Sequence, residues 1–263
     1  MPNSTAGFYA LLLSAALFAP IAPAIAGCEA KSGDSTVALL ELYTSEGCSS
    51  CPPADKFVSE LPRSGFQSDR VVPLAFHVDY WNYLGWTDPF SQSDFTRRQR
   101  DFARLTNAAT VYTPELVLGG SEYRRWWGGS FERAVRQVNR TAPRADIALK
   151  LDRDKTTLRV DGRASVRDKS SDRRSAHLYV ALFQNNLSNK IDAGENSGHT
   201  LNHSFVVRRL YGPFAFDAAG TARFNRALTL DAQWKPADLG IAAFVQESRV
   251  TKILQALALD VCS

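Results

Sequence analysis

The chain has no Gly-rich phosphate loop, no dinucleotide-binding fingerprint and no Ser-His-Asp pattern that can be placed. Nucleotide handling and serine-type hydrolysis therefore have no anchor in it. No electron-transfer cofactor motif is present either, so no cofactor is expected, and any redox centre must be recharged by a partner protein. Beyond residue 26 no stretch is long and apolar enough to span a bilayer as a helix, so no membrane span is expected. Charge of one sign is not concentrated anywhere. The net charge is only +4, and its basic residues, mostly Arg, are dispersed among acidic ones. Nucleic acid and anionic membrane surfaces are thus poor partners. Internal repeats and low-complexity tracts are absent.

What is present begins with Phe8 to Ala26, an apolar, alanine-rich stretch ending in Ala24-Ile25-Ala26. A small-x-small ending of this kind marks a cleaved secretory signal, and residues 1–26 are assigned to one. Pro20 and Pro23 argue against a spanning helix. Ile25-Ala26-Gly27-Cys28 also resembles a bacterial lipobox, so two localisations stand. The chain is secreted or periplasmic, or it is a lipoprotein tethered through Cys28. About 235 residues remain, enough for two modest domains. Four cysteines in an exported chain suggest two bridges. Cys48 and Cys51 form the local pair, leaving Cys28 and Cys262 for a long-range structural disulfide. The lipobox alternative would leave Cys262 unpaired.

Cys48-Ser49-Ser50-Cys51-Pro52 is the most informative run. The apolar segment Val37 to Tyr43 before it reads as a buried strand. Pro52 and Pro53 after it suit the first turn of a helix, which needs no amide donor. A thiol at a helix N-terminus is biased toward thiolate, the form that attacks disulfides. Cys48 is therefore the expected nucleophile and Cys51 the resolving thiol. Ser49 and Ser50 add no positive charge, so intermediate reactivity is expected.

Downstream, residues 52–62 read as a helix and Val71 to Val78 as a second buried strand, parallel to the first. The aromatic loop Asp79 to Trp86 is denser in large rings than a connector needs. Asp79, Tyr80, Trp81 and Trp86 are candidates for a substrate-facing surface, against the alternative of a small satellite core. A helix over Asp94–Thr106 carries Phe95, Phe102 and Leu105 inward, with Arg97, Arg98, Arg100 and Asp101 on its wet side. Thr113-Pro114 precedes a strand at Glu115–Leu118, a Gly119-Gly120 turn and a return strand. Ser130 caps a last helix to Asn139. After Pro143 about seven short strands follow, separated by turn clusters such as Asp168 to Asp172, in the manner of an antiparallel sandwich. His77 and Asp79 close the second strand, where ligands collect in α/β folds. His77 and Glu41 are candidate acid–base groups. His199 and His203 are four apart on no clear helix and read as surface histidines rather than zinc ligands.

The element order, the dithiol after strand one and the Thr-Pro before the last hairpin together resemble the thioredoxin fold. That resemblance implies an α/β thioredoxin-like domain (βαβ-α-ββα) over 34–143, followed by a β-rich, antiparallel sandwich domain over 144–262. It also implies a cis Thr113–Pro114 bond packed on the dithiol, adding both residues to the catalytic set. The family's buried carboxylate falls at Leu42 here, with Glu41 adjacent. More specifically, Glu41 to Asp55, His77 to Trp81, Val111 to Pro114 and Asn185 to Leu210 resemble a family of uncharacterised secreted proteins, domain of unknown function 1223. Three functions remain in view. The leading one is an exported thiol–disulfide oxidoreductase acting on a protein or small-thiol client. A second is a Cu(I) site built from Cys48, Cys51 and His77, since soft thiolates and imidazole suit that ion. Copper-delivery proteins of related fold use a longer cysteine spacing. The third is a binding module in which Cys48–Cys51 is only a staple.

Overall fold

In a computed structural model of the chain, the residues described are Met1, 26–127, 129–167, 175–248 and 250–262. The expected signal segment, apart from Met1 and Ala26, and the turn at Asp168–Asp172 lie outside them.

The fold is mostly β, which corrects the expectation of an α/β thioredoxin-like domain followed by a separate sandwich. The first half supplies β1 (Ala26–Lys31), β2 (Ala38–Thr44), α1 (Pro52–Glu60), β3 (Val71–His77), α2 (Ser93–Thr106), β4 (Glu115–Leu118), β5 (Ser121–Glu122) and α3 (Ser130–Asn139). The second half supplies β6 (Ala145–Arg153), β7 (Thr157–Val166), β8 (Ala176–Gln184), β9 (Leu187–Lys190), β10 (Thr200–His203), β11 (Val206–Ala215), β12 (Thr221–Thr229), β13 (Leu239–Glu247) and β14 (Ile253–Asp260).

An eight-stranded sheet runs β14-β13-β8-β11-β3-β2-β4-β5 and so draws strands from both halves. The reason is the exposed edge of β3. Ala75 of β3 faces Val206 of β11 in a parallel pairing, and the Ala75 N–H donates to the Phe205 carbonyl at 2.8 Å. An unpaired edge is a strong template for another strand, so the sheet continues instead of ending. A four-stranded sheet, β1-β6-β7-β12, packs on the larger one.

Local sequence explains the layers. Every residue of β2 and β3 is buried, as expected for near-continuous apolar runs covered on both faces. Leu40 and Leu42 face α1 and α3 beside Val58 and Val135, while Leu39 and Tyr43 face α2 beside Phe95 and Phe102. β6 alternates instead, burying Ile147, Leu149 and Leu151 against Leu178, Leu182 and Ile241. Burial of Arg98 corrects its expected place on the wet side of α2. Its Nε donates to the buried Glu41 carboxylate at 2.7 Å, and its guanidinium lies over the rings of Tyr179 and Phe244, each at 5.2 Å. Those rings come from β8 and β13, strands that the extended sheet places under α2.

Cys28 on β1 is bonded to Cys262, just past β14, and the described residues hold no free cysteine. The Cys28 sulfur is therefore committed to Cys262, the long-range pairing expected of the two terminal cysteines. The bridge clamps an edge of the small sheet to an edge of the large one. The 234-residue separation makes it worth on the order of 5 kcal/mol in the chain-entropy model. Replacing both Cys28 and Cys262 by alanine is expected to lower the unfolding free energy by about 2–5 kcal/mol. A urea titration checks this, and an unchanged midpoint would refute it.

Candidate functional site

β2 and β3 deliver their ends side by side, with Thr44 and His77 as Cα partners. The chain leaves β2 through Ser45–Ser50 and enters α1 at Cys51. Cys48 and Cys51 are disulfide-bonded with Cα atoms 5.5 Å apart. Both are fully buried, while Ser49 and Ser50 between them are exposed. The Cys51 carbonyl accepts from the N–H groups of Ala54 and Asp55 at 2.9 and 3.2 Å, fixing Cys51 as the residue that caps α1. The Ser50 hydroxyl lies 3.4 Å from Cys48 Sγ.

The Thr113–Pro114 bond is cis and leads directly into β4, whose Glu115 pairs with Tyr43. This puts Thr113 and Pro114 at the same end of the sheet as Cys48. Trp81 joins the two segments. Its Nε1 donates to Thr113 Oγ1 at 2.8 Å. Its own Cβ and backbone oxygen approach residue 47 so closely that a side-chain carbon there would meet them at 3.1 and 3.3 Å, which explains the glycine.

Beneath this rim lies a polar cluster centred on Glu46, which is 0 % exposed. Its Oε2 accepts from Trp86 Nε1 at 2.9 Å. Its Oε1 accepts from Asn189 Nδ2 at 2.9 Å and faces His203 Nε2 at 3.1 Å. Its N–H donates to Asp88 Oδ2 at 2.9 Å, and its carbonyl accepts from Asn196 Nδ2 at 2.8 Å. Asn196 also donates to the Cys48 carbonyl at 3.1 Å. The neighbouring Glu195 carboxylate accepts from the Ser49 hydroxyl and N–H at 2.7 and 3.0 Å, bonds that hold its pKa below the usual carboxylate range. The 192–199 turn thus straps the dithiol loop.

His77 Nδ1 lies 2.7 Å from Asp88 Oδ2, and the Asp55 carboxylate accepts from Thr44 Oγ1 at 2.8 Å. His203 Nδ1 stands 3.4 Å from Asp55 Oδ1. Burial alone would depress the His203 pKa, but the Asp55 and Glu46 carboxylates outweigh it and push it up to about 10. Burial likewise works against the Asp88 carboxylate, yet His77 outweighs it and holds the Asp88 pKa below its ordinary value. The two imidazoles meet edge to face at 5.0 Å with Phe90 against both.

The structure thus brings together Cys48, Cys51, Thr113, Pro114, Trp81, Trp86 and His77, although His77 faces Asp55 and His203. Glu41 lies elsewhere, on the α2 face of the sheet, paired to Arg98 and accepting from the Tyr43 hydroxyl at 3.0 Å. Asp79 turns to α2, where Thr96 Oγ1 donates to it, and the Tyr80 hydroxyl donates to Gln99 at 3.1 Å. His199 is exposed, whereas His203 is buried, contrary to its reading as a surface residue. Sequence reasoning missed Glu46, Asp55, Asp88, Asn189, Asn196 and Glu115. Acidic residues two before the first cysteine and four after the second were the available signal.

A buried Cys-x-x-Cys disulfide at a helix start, set at the end of a mixed β-sheet, defines the class of this chain. It belongs to the family described as protein of unknown function (DUF1223), whose model matches residues 39–246. A solved protein from Agrobacterium tumefaciens is similar at 22% identity and TM-score 0.61, over 88% of this chain and 97% of that one. HBP35 of Porphyromonas gingivalis is similar at 16% identity and TM-score 0.61, over 88% of this chain and 76% of that one. At these identities the likeness is one of fold alone. No curated protein matches the chain.

Glu115, next to Pro114, is buried, and this pushes its pKa up to about 7 despite a 2.7 Å hydrogen bond from Gln99. A carboxylate whose folded pKa is raised costs stability when ionised. The cost is absent below the ordinary value of 4.5, grows as pH rises toward 7, and is complete above it. Glu115→Gln is therefore expected to be more stable than the parent at pH 8, by up to about 2 kcal/mol, with the gap closing at acid pH. Thermal unfolding across that range checks this, and a gap independent of pH would refute it.

Proposed function

We propose that this chain is an exported thiol–disulfide oxidoreductase working through Cys48 and Cys51. The observation that carries the reading is the Cys48–Cys51 disulfide at the start of α1, joined through Gly47 and Trp81 to the cis Thr113–Pro114 turn. The two bridges also suit an oxidising compartment outside the cytoplasm.

In the oxidised state a client thiolate attacks Cys48 Sγ, and the Cys48–Cys51 bond breaks with Cys51 leaving as thiolate. The client's second thiolate then attacks the mixed disulfide, displacing Cys48. The client gains a disulfide and the protein holds the two electrons as a dithiol. The reverse sequence, begun by the Cys48 thiolate on a client disulfide and finished by Cys51, reduces the client. The N-terminus of α1 favours the thiolate forms, and the Ser50 hydroxyl is positioned to donate to Cys48. In this reading Thr113 and Pro114 present backbone to the incoming chain, and Trp81 and Trp86 shape selectivity.

A glutathione titration tests this. A reversible midpoint between about −270 and −120 mV is the range of working oxidoreductases, whereas a pair resisting reduction below about −300 mV behaves as a structural staple and ends the reading. Cys51→Ser is expected to accumulate the client as a mixed disulfide on Cys48, visible by non-reducing electrophoresis, and Cys48→Ser to accumulate none. Glu195→Ala removes two bonds to Ser49 and is expected to speed reduction of the pair by dithiothreitol severalfold. An unchanged rate would mean that the 192–199 strap does not limit access.

A further inference from the structure

We infer that Asp55, His77 and His203 form a binding site for one divalent transition-metal ion such as Zn²⁺. One ligand atom from each lies within 4.8 Å of the others, and all three residues are buried. Two of the atoms, His77 Nε2 and His203 Nδ1, are buried without a hydrogen-bond partner among the described residues. Native interiors seldom leave such atoms without a hydrogen bond; His203 Nδ1 has only the 3.4 Å ion-pair contact to Asp55 Oδ1 and His77 Nε2 has none, and a shared occupant would satisfy both.

The surroundings are those of a metal site. Ligating histidines bind through one ring nitrogen while the other is held by a carboxylate or carbonyl, which fixes the ring and the tautomer. Asp88 holds His77 Nδ1 at 2.7 Å, leaving Nε2 inward, and Glu46 holds His203 Nε2 at 3.1 Å, leaving Nδ1 inward. Thr44 holds Asp55 Oδ2 at 2.8 Å, leaving Oδ1 inward at 3.4 Å from His203 Nδ1. Each of the three thus has its own orienting partner. Three buried carboxylates, Glu46, Asp55 and Asp88, enclose the two imidazoles, and a bound divalent cation would take over the charge compensation that His203 supplies to Glu46 and Asp55. Two imidazoles and one carboxylate are a donor set for zinc with a fourth position open, and also for iron or manganese.

A groove lies beside the cluster. A groove of about 1000 Å³ runs between α1 and the β9–β10 hairpin and is lined by Pro52, Asp55, Ser59, Asn202 and His203. Asp55 and His203, two of the three ligand residues, are among those that line it. The site differs from one built on Cys48 and Cys51, because it uses neither sulfur, and it does not rest on the oxidoreductase reading.

The test uses the full oxidised chain, whose disulfides keep sulfur out of the coordination. After EDTA treatment, Zn²⁺ is titrated by calorimetry, and Co²⁺ is added as a spectroscopic probe. One Zn²⁺ per chain is expected, with visible Co²⁺ bands of nitrogen–oxygen coordination and no sulfur-to-cobalt charge transfer. His203→Ala and His77→Ala are each expected to weaken binding by at least tenfold, and Glu46→Gln by about tenfold or more through loss of its hold on His203. Asp55→Asn, which keeps the shape and the Thr44 contact, guards against variants that fail to fold and is expected to behave like the histidine variants. Absence of stoichiometric uptake, or uptake unchanged in well-folded Asp55→Asn, overturns the site. Neither result depends on the potential of the Cys48–Cys51 pair, so failure of this site and failure of the redox reading are separately visible.

Discussion

A carboxylate taken out of water must be compensated, and Glu46 is wholly buried. Its carboxylate is met from three separate stretches of chain, Trp86 on the aromatic loop, Asn189 on β9 and His203 on β10, while Asn196 on the strap donates to the Glu46 backbone carbonyl. Removing any one of the three carboxylate partners leaves a buried negative charge short of a donor, which costs more than the bond was worth. The position of the dithiol loop is thereby tied to the second half of the chain. Residues near position 46 and residues near 190–203 are distant in sequence and inseparable in energy.

The β3–β11 pairing makes that arrangement attainable. Parallel pairing at Ala75–Val206 sets the end of β3, which carries His77, near the chain that has just left His203. The same pairing brings Tyr179 and Phe244 under α2, where they receive the Arg98 guanidinium, so Glu41 and Arg98 neutralise each other within the core. One strand junction therefore organises both faces of the sheet. It builds a charge-bearing cluster on the side of α1 and a buried ion pair on the side of α2.

Much of the local structure was legible. Unbroken apolar runs marked β2 and β3, the prolines after Cys51 marked the start of α1, and alternation marked β6. Those signals are short-ranged. Nothing in the pattern of Val206 says that it will join β3, so the sequence suggested two domains where one sheet crosses between them. The same gap explains Arg98, which reads as a wet-side residue until the aromatic strands beneath it are known. At the site, the dithiol and the Thr-Pro were plain because their spacing is chemical. His203 was obscured because β10, Thr-Leu-Asn-His, is too short and polar for its alternation to register, although Leu201 and His203 do point inward. Glu46 and Asp55 looked like ordinary loop and helix acids. Their importance comes from what folds over them.

The Cys28–Cys262 bond has a mechanical meaning. Tension that enters the chain at Cys28 and leaves at Cys262 passes directly through two sulfur atoms and bypasses the 234-residue span between them. Under such a pull neither sheet is sheared and no strand is peeled from its neighbour. A fold wired in this way can be pulled between its two ends while its dithiol site remains unstrained.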